Sequence, residues 1–267
     1  MRIPASAVHL LPTFTAVAIL SACHPENRHA LRLRDECAAG DAAACADLGV
    51  RLLEGRYVLR DEAQAAELFE RACEQGVAES CARLGVLLDS GRGVSRDSAR
   101  AAGLHARACE GNAYSGCTQL AMRYRTGAGV PQNDVHAARL FERACSGGDA
   151  LACAQLGELL AGGEGVGADP VRARLLFEQA CAGDIASACL ALGRIYAGGQ
   201  GVPRDDERAV ELFTLACNGR ASEACFRLGQ LYAEGRGVAQ DFEHAARLRL
   251  RACRDGYADA CPQESES

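Results

Sequence analysis

Fourteen of the fifteen cysteines fall into seven pairs with a constant internal spacing of eight: Cys37/Cys45, Cys73/Cys81, Cys109/Cys117, Cys145/Cys153, Cys181/Cys189, Cys217/Cys225 and Cys253/Cys261. Successive pairs are 36 residues apart, six times running, without an insertion or deletion. A fixed period of this length means a chain of stacked supersecondary units, each of which buries its apolar face only against its neighbours.

Other residues recur in the same phase. Eleven positions after each of the first six leading cysteines stands Leu48, Leu84, Leu120, Leu156, Leu192 or Leu228, followed by glycine or, once, Ala121. Further on come Gly55, Gly91, Gly127, Gly163, Gly199 and Gly235, then a valine three residues later, then Asp61, Asp97, Asn133, Asp169, Asp205 and Asp241. The Asp/Asn row reads as N-caps, because these side chains accept hydrogen bonds from the unpaired N–H groups of a first helical turn. Pro170 follows Asp169 at the first helical position, where its missing donor costs nothing. From each cap a helix of about 12 residues with Ala and Leu at helical spacing runs to the next cysteine. Glycines just past that cysteine, such as Gly40, Gly76, Gly147 and Gly183, are positioned to end it. A second helix then carries Cys, Leu and Gly, and the Gly-x-Gly-Val stretch leads into the next cap. Each 36-residue unit is therefore a helix–turn–helix, and the chain an all-α solenoid.

The Leu-Gly, Gly-x-Gly-Val-x-x-Asp, Ala and Leu-Phe pattern resembles the Sel1-like repeat, a relative of the tetratricopeptide repeat. The eight-spaced cysteine pair is similar to that of the Helicobacter cysteine-rich proteins, a disulfide-bearing branch of the same family. The resemblance covers roughly residues 28–261 and implies an α/α superhelical solenoid that mediates protein–protein interactions. It also carries a second implication, a β-lactamase-like or penicillin-binding hydrolase, since that label has been attached to the cysteine-rich branch.

The chain begins with Met1-Arg2, an apolar stretch from Ile3 to Leu20, and then Leu20-Ser21-Ala22-Cys23. A basic start, an apolar run and small residues before a break are the pattern of an export signal. The tetrapeptide resembles the bacterial lipobox, so residues 1–22 are expected to be removed and Cys23 to carry lipid. An ordinary signal peptide, or an uncleaved anchor with a chance cysteine, is the plainer alternative. His24 in the second mature position, where Asp is absent, points to the outer membrane, with the solenoid facing the periplasm or the cell surface. Residues 23–27 then read as a short linker, 28–261 as the solenoid and 262–267 as a disordered tail.

With Cys23 set aside, the remaining cysteines are even in number, which in an exported chain suggests a disulfide framework. Zinc sites use cysteines two to four residues apart or cysteine with histidine, and neither fits a spacing of eight. Eight residues on one helix span about 12 Å, too far for a bridge whose Cα atoms must lie within about 7 Å. A turn must therefore separate the two cysteines, and each of the seven disulfides then staples the end of one helix to the next.

Composition excludes several chemistries. The net charge is −6, a poor footprint for nucleic acid, and all 29 basic residues are arginine. Without lysine there is no Schiff base, no P-loop and no Ser-x-x-Lys nucleophile. No Gly-x-Ser-x-Gly or His-Glu-x-x-His motif occurs, so no catalytic residue, no cofactor and no metal is expected. His136 and His244 share a slot near a helix start filled elsewhere by Gln64, Arg100, Arg172 and Arg208. His105 takes a place otherwise held by Phe69, Phe141, Phe177 and Phe213, which marks it as a packed position.

By analogy with tetratricopeptide arrays, the second helix of each unit lines a concave groove. Thirteen residues after each of the first six leading cysteines stand Val50, Val86, Met122, Glu158, Arg194 and Gln230. This position varies while the framework around it does not, as a ligand-facing surface does. Met122, Arg125, Glu158, Arg194, Phe226 and Gln230 are the candidate contacts of an envelope protein or peptide partner, and a monomer is expected.

Overall fold

The caps, leucines and cysteines build thirteen α-helices and a final 3-10 turn among the described residues, 25–261, of the computed structural model, with no strand among them. The expected signal peptide, Cys23 and the tail 262–267 lie outside the described residues. The chain divides into two compact units, Met1–Asp97 and Ser98–Ser267. The N-terminal unit holds α1 (Pro25–Ala38), α2 (Ala42–Glu54), α3 (Glu62–Glu74) and α4 (Ala78–Ser90). The C-terminal unit holds α5 (Ser98–Glu110), α6 (Tyr114–Thr126), α7 (Asp134–Ser146), α8 (Ala150–Gly162), α9 (Pro170–Ala182), α10 (Ala186–Gly198), α11 (Asp206–Asn218), α12 (Ser222–Glu234), α13 (Phe242–Arg254) and the 3-10 turn Ala258–Ala260. Within each unit the helices pack against their neighbours in sequence, as an α/α solenoid with one disulfide per repeat. α1 begins at Pro25, within the segment read as a linker.

Asp61, Asn133, Asp169, Asp205 and Asp241 cap α3, α7, α9, α11 and α13, each accepting the backbone N–H three residues on at 2.8–2.9 Å. Loss of such a cap costs about 1 kcal/mol. The opposite ends of α2, α4, α6, α8, α10 and α12 close on Gly55, Gly91, Gly127, Gly163, Gly199 and Gly235, all left-handed.

The turn between the paired cysteines differs from the expectation at Gly147 and Gly183. These two keep negative φ, −83° and −92°. The left-handed residue is the next one, three after the first cysteine: Gly40, Gly76, Asn112, Gly148, Asp184, Arg220 and Gly256, with φ from 62° to 102°. Gly183 is glycine for room, since a Cβ there would fall 2.5 Å from that of Ala150.

The disulfides join Cys37 to Cys45, Cys73 to Cys81, Cys109 to Cys117, Cys145 to Cys153, Cys181 to Cys189, Cys217 to Cys225 and Cys253 to Cys261, with Cα–Cα separations of 4.5–4.8 Å. In the first six pairs the leading cysteine is the last residue but one of its helix, and its partner stands in the first turn of the next. Those partners, Cys45, Cys81, Cys117, Cys153, Cys189 and Cys225, are at most 2% exposed. They are therefore core staples and no part of a ligand-facing surface, because they share the inward face of the second helix with the framework leucine and glycine. Each short closed loop contributes about 2.5 kcal/mol on a chain-entropy account.

The core beneath is small and tight. Phe69, Phe141 and Phe213 are wholly buried, and His105 occupies their slot, equally buried. Phe69, Phe177 and Phe213 press their ring edges onto Gly49, Gly157 and Gly193, which lets the second helix of one repeat approach the first helix of the next. Arginines tie repeats together: Arg71 and Arg251 donate to the carbonyls of Cys37 and Cys217, 34 residues back, at 2.9 and 2.8 Å.

Candidate binding site

In the C-terminal unit the variable position falls on α6, α8, α10 and α12. Its neighbours on those helices, the cysteine, leucine and glycine of the framework, are turned inward, and Glu158, Arg194 and Gln230 line the open side. Met122 is half-buried and packs on the core. Val50 and Val86 occupy the same slot in α2 and α4 of the N-terminal unit.

Two adjoining clefts open along this row. The first, of about 370 Å³, has a largely apolar floor of Ala161, Ala173, Phe177, Ala191 and Ile195, with Glu158 and Arg194 among its walls. The second, of about 390 Å³, is polar and is lined by Arg194, Gln200, Arg227, Gln230, Glu234 and Arg236 among others. Arg194 and Gln200 belong to both. The structure thus brings together Glu158, Arg194 and Gln230. Arg125 joins them from α6, its Nη1 lying 3.5 Å from Glu158 Oε2, which also accepts from Gln155 Nε2 at 3.1 Å. This pair is partly exposed and contributes at most about 1 kcal/mol.

Phe226 lines neither cleft. Its ring is half-buried against Tyr257, with centroids 5.3 Å apart, and the Arg249 guanidinium stands 6.0 Å over it. Desolvation and a hydrogen bond with Asp259 raise the Tyr257 hydroxyl above its ordinary pKa.

The charges along the second cleft are mostly committed to each other. Arg227 Nε donates to Glu223 Oε1 at 2.6 Å. Arg236 donates to Asp206 Oδ1 at 2.8 Å and to Glu234 Oε2 at 3.0 Å. Asp206 is also gripped by Arg204 at 2.6 Å, and the two arginines, Arg204 foremost, hold its carboxyl down at about 2. Arg194 differs: the Glu223 carboxylate oxygen beside it is 3.9 Å away.

The histidines in the capped slot are packing groups. His136 and His244 stand edge-on to Tyr124 and Tyr232, each at 4.4 Å. Among the described residues no three His, Cys, Asp or Glu side chains come together in a way that could hold a metal ion. Gln200, Ile195, Arg227 and Arg236 line the clefts without standing out in the sequence. For Arg236 a signal exists: it lies between the two turn glycines 30 residues after Asp206, as Arg92 lies 30 after Glu62, and both pairs form.

A Sel1 repeat family model matches six segments of the chain, residues 42–77, 78–112, 115–149, 150–184, 186–219 and 222–257. No curated protein is similar enough to count as a match. Among solved structures, a Sel1 repeat protein from Oxalobacter formigenes is similar at 26% identity and a TM-score of 0.77, over 85% of this chain and 98% of that one. A protective antigen present in uropathogenic Escherichia coli strains, displaying an SLR fold, is similar at 28% identity and a TM-score of 0.74 over 86% of this chain. This chain spans only 50% of that antigen's length. Helicobacter pylori cysteine rich protein B is similar at 25% identity over 48% of this chain and 92% of that one, with a TM-score of 0.40. The matched segments span most of the sequence, and the chain belongs to the Sel1 repeat family, as a repeat scaffold suited to protein–protein interaction.

Proposed function

We propose that the paired clefts along α8, α10 and α12 bind a protein or peptide partner at the cell envelope. The observation that carries this reading is the convergence of the varying residues Glu158, Arg194 and Gln230 on two adjoining clefts in an otherwise uniform framework. A row of exposed side chains on stacked helices offers an extended surface to an extended ligand. Export supplies the location. Seven disulfides suit an oxidising compartment and support export, while lipid on Cys23 and the outer membrane are the reading of the N-terminal sequence Leu20-Ser21-Ala22-Cys23.

The test is the triple variant Glu158→Ala, Arg194→Ala and Gln230→Ala, captured from crosslinked envelopes beside the wild type. Exposed substitutions cost little stability, so the fold is expected to persist while the partner is lost. An unchanged set of partners would remove the clefts from consideration. For the anchor, a fatty-acid analogue is expected to label the wild type and not Cys23→Ser; equal labelling would contradict it.

A further inference from the structure

We infer that the partner segment is acidic, and that Arg194 receives a carboxylate from it beside an aliphatic side chain seated in the first cleft; this rests on the binding site proposed above. Three arginines line the second cleft, but Arg227 and Arg236 already donate to Glu223, Asp206 and Glu234. The Glu223 oxygen 3.9 Å from Arg194 is the same one that accepts from Arg227 at 2.6 Å. That distance lies beyond hydrogen-bond range, so the Arg194 guanidinium keeps its donors for an incoming group. Its side chain is 57% exposed and forms part of both clefts. A planar guanidinium with free donors matches a carboxylate two bonds at a time, which is the strong form of a charge-assisted hydrogen bond.

The surroundings set the direction of the ligand. Glu158, on the first cleft, repels a second carboxylate there, while the floor of Phe177, Ala191 and Ile195 takes a hydrocarbon side chain. The ligand carboxylate is thereby directed to the second cleft, which Gln200 and Gln230 line together with Arg194. The occupant is an extended peptide in which an aliphatic residue and an acidic one stand two positions apart, so that both side chains face the clefts.

The probe is a set of three end-blocked, fluorescein-labelled peptides with leucine two positions from a glutamate, glutamine or lysine, measured by anisotropy on the intact disulfide-bonded protein. The glutamate peptide is expected to bind about tenfold more tightly than the glutamine one, and the lysine peptide more weakly than either. Arg194→Glu is expected to invert the order of the glutamate and lysine peptides, whereas Arg139→Glu on the exposed side of α7 leaves it alone. Equal affinity for all three peptides, lost together in the triple alanine variant, would overturn the acidic-ligand inference and leave the site standing. Binding of the glutamate peptide that persists in the triple variant would overturn both. No binding by any of the three, with partner capture still dependent on Glu158, Arg194 and Gln230, would remove the inference alone.

Discussion

The ring of Phe177 occupies the space that a side chain on Gly157 would need: a Cβ there would lie 2.7 Å from the ring. Gly49 with Phe69 and Gly193 with Phe213 repeat the arrangement. Gly157→Ala is therefore expected to destabilise the fold by about 1–3 kcal/mol through overpacking. The repeat in which Ala121 stands at this position, with Phe141 wholly buried, places the cost toward the lower end. Gly103→Ala, in mid-helix with nothing within 4 Å, is expected to stabilise by up to about 1 kcal/mol. Urea denaturation of the two variants checks the opposite signs.

Arg220 carries a φ of 67°, in a slot where four of the seven repeats place glycine. A side chain other than Asn or Asp pays steric strain there of about 1 kcal/mol. Arg220→Gly is expected to raise the unfolding midpoint, and Gly148→Ala to lower it. A fall in stability on Arg220→Gly would mean that the arginine side chain has a role outweighing the strain.

Asp206 and Glu62 each sit between two arginines, and both carboxyls are held down at about 2. The principal causes are the hydrogen bonds from Arg204 to Asp206 and from Arg92 to Glu62. A carboxyl whose pKa is lower folded than unfolded contributes stability above its unfolded value of about 4. That contribution is lost as pH falls from about 4 toward 2. Asp206→Asn is expected to lower stability at neutral pH and to flatten this acid limb, as followed by circular dichroism across the pH range. An unchanged acid limb would show that the exposed arginines do not hold the carboxylate in solution.

Cys253 and Cys261 are half-buried, whereas the six other pairs are buried throughout, and their loop contains Tyr257, which packs on Phe226. Limited reduction followed by alkylation is expected to label this pair first and the pairs closed by Cys45, Cys81, Cys117, Cys153, Cys189 and Cys225 later. Cys261→Ser is expected to free the turn and expose the Phe226 ring while leaving the preceding repeats folded. Uniform labelling of all seven pairs would contradict this order.

The repeat spacing makes most of the fold legible in advance. Asp61 or Asp241 announces a helix start because a cap is a local bond between a side chain and a backbone N–H three residues away. The cysteine pairs are readable because a bridge of fixed reach demands a turn between them. What escapes depends on backbone conformation or on neighbours a repeat away. Gly147 and Gly148 are alike as letters, and only φ separates the one needed for space from the one needed for its left-handed turn. Arg251 reads as a solvated charge until it is seen donating to the Cys217 carbonyl. Of the candidate contacts, Glu158, Arg194 and Gln230 are legible through their variation along one helical position. Phe226 also departs from its repeat but packs instead on Tyr257, because the final repeat ends in a 3-10 turn that folds over it.

The most direct test of a partner held along α8, α10 and α12 is site-specific photo-crosslinking in intact cells, with the reactive group placed in turn at positions 230 and 171. Gln230 lies in the second cleft, and Val171 is 62% exposed and outside both. A discrete crosslinked partner is expected from position 230 and none from position 171. The same partner captured from position 171, with none from 230, would contradict it.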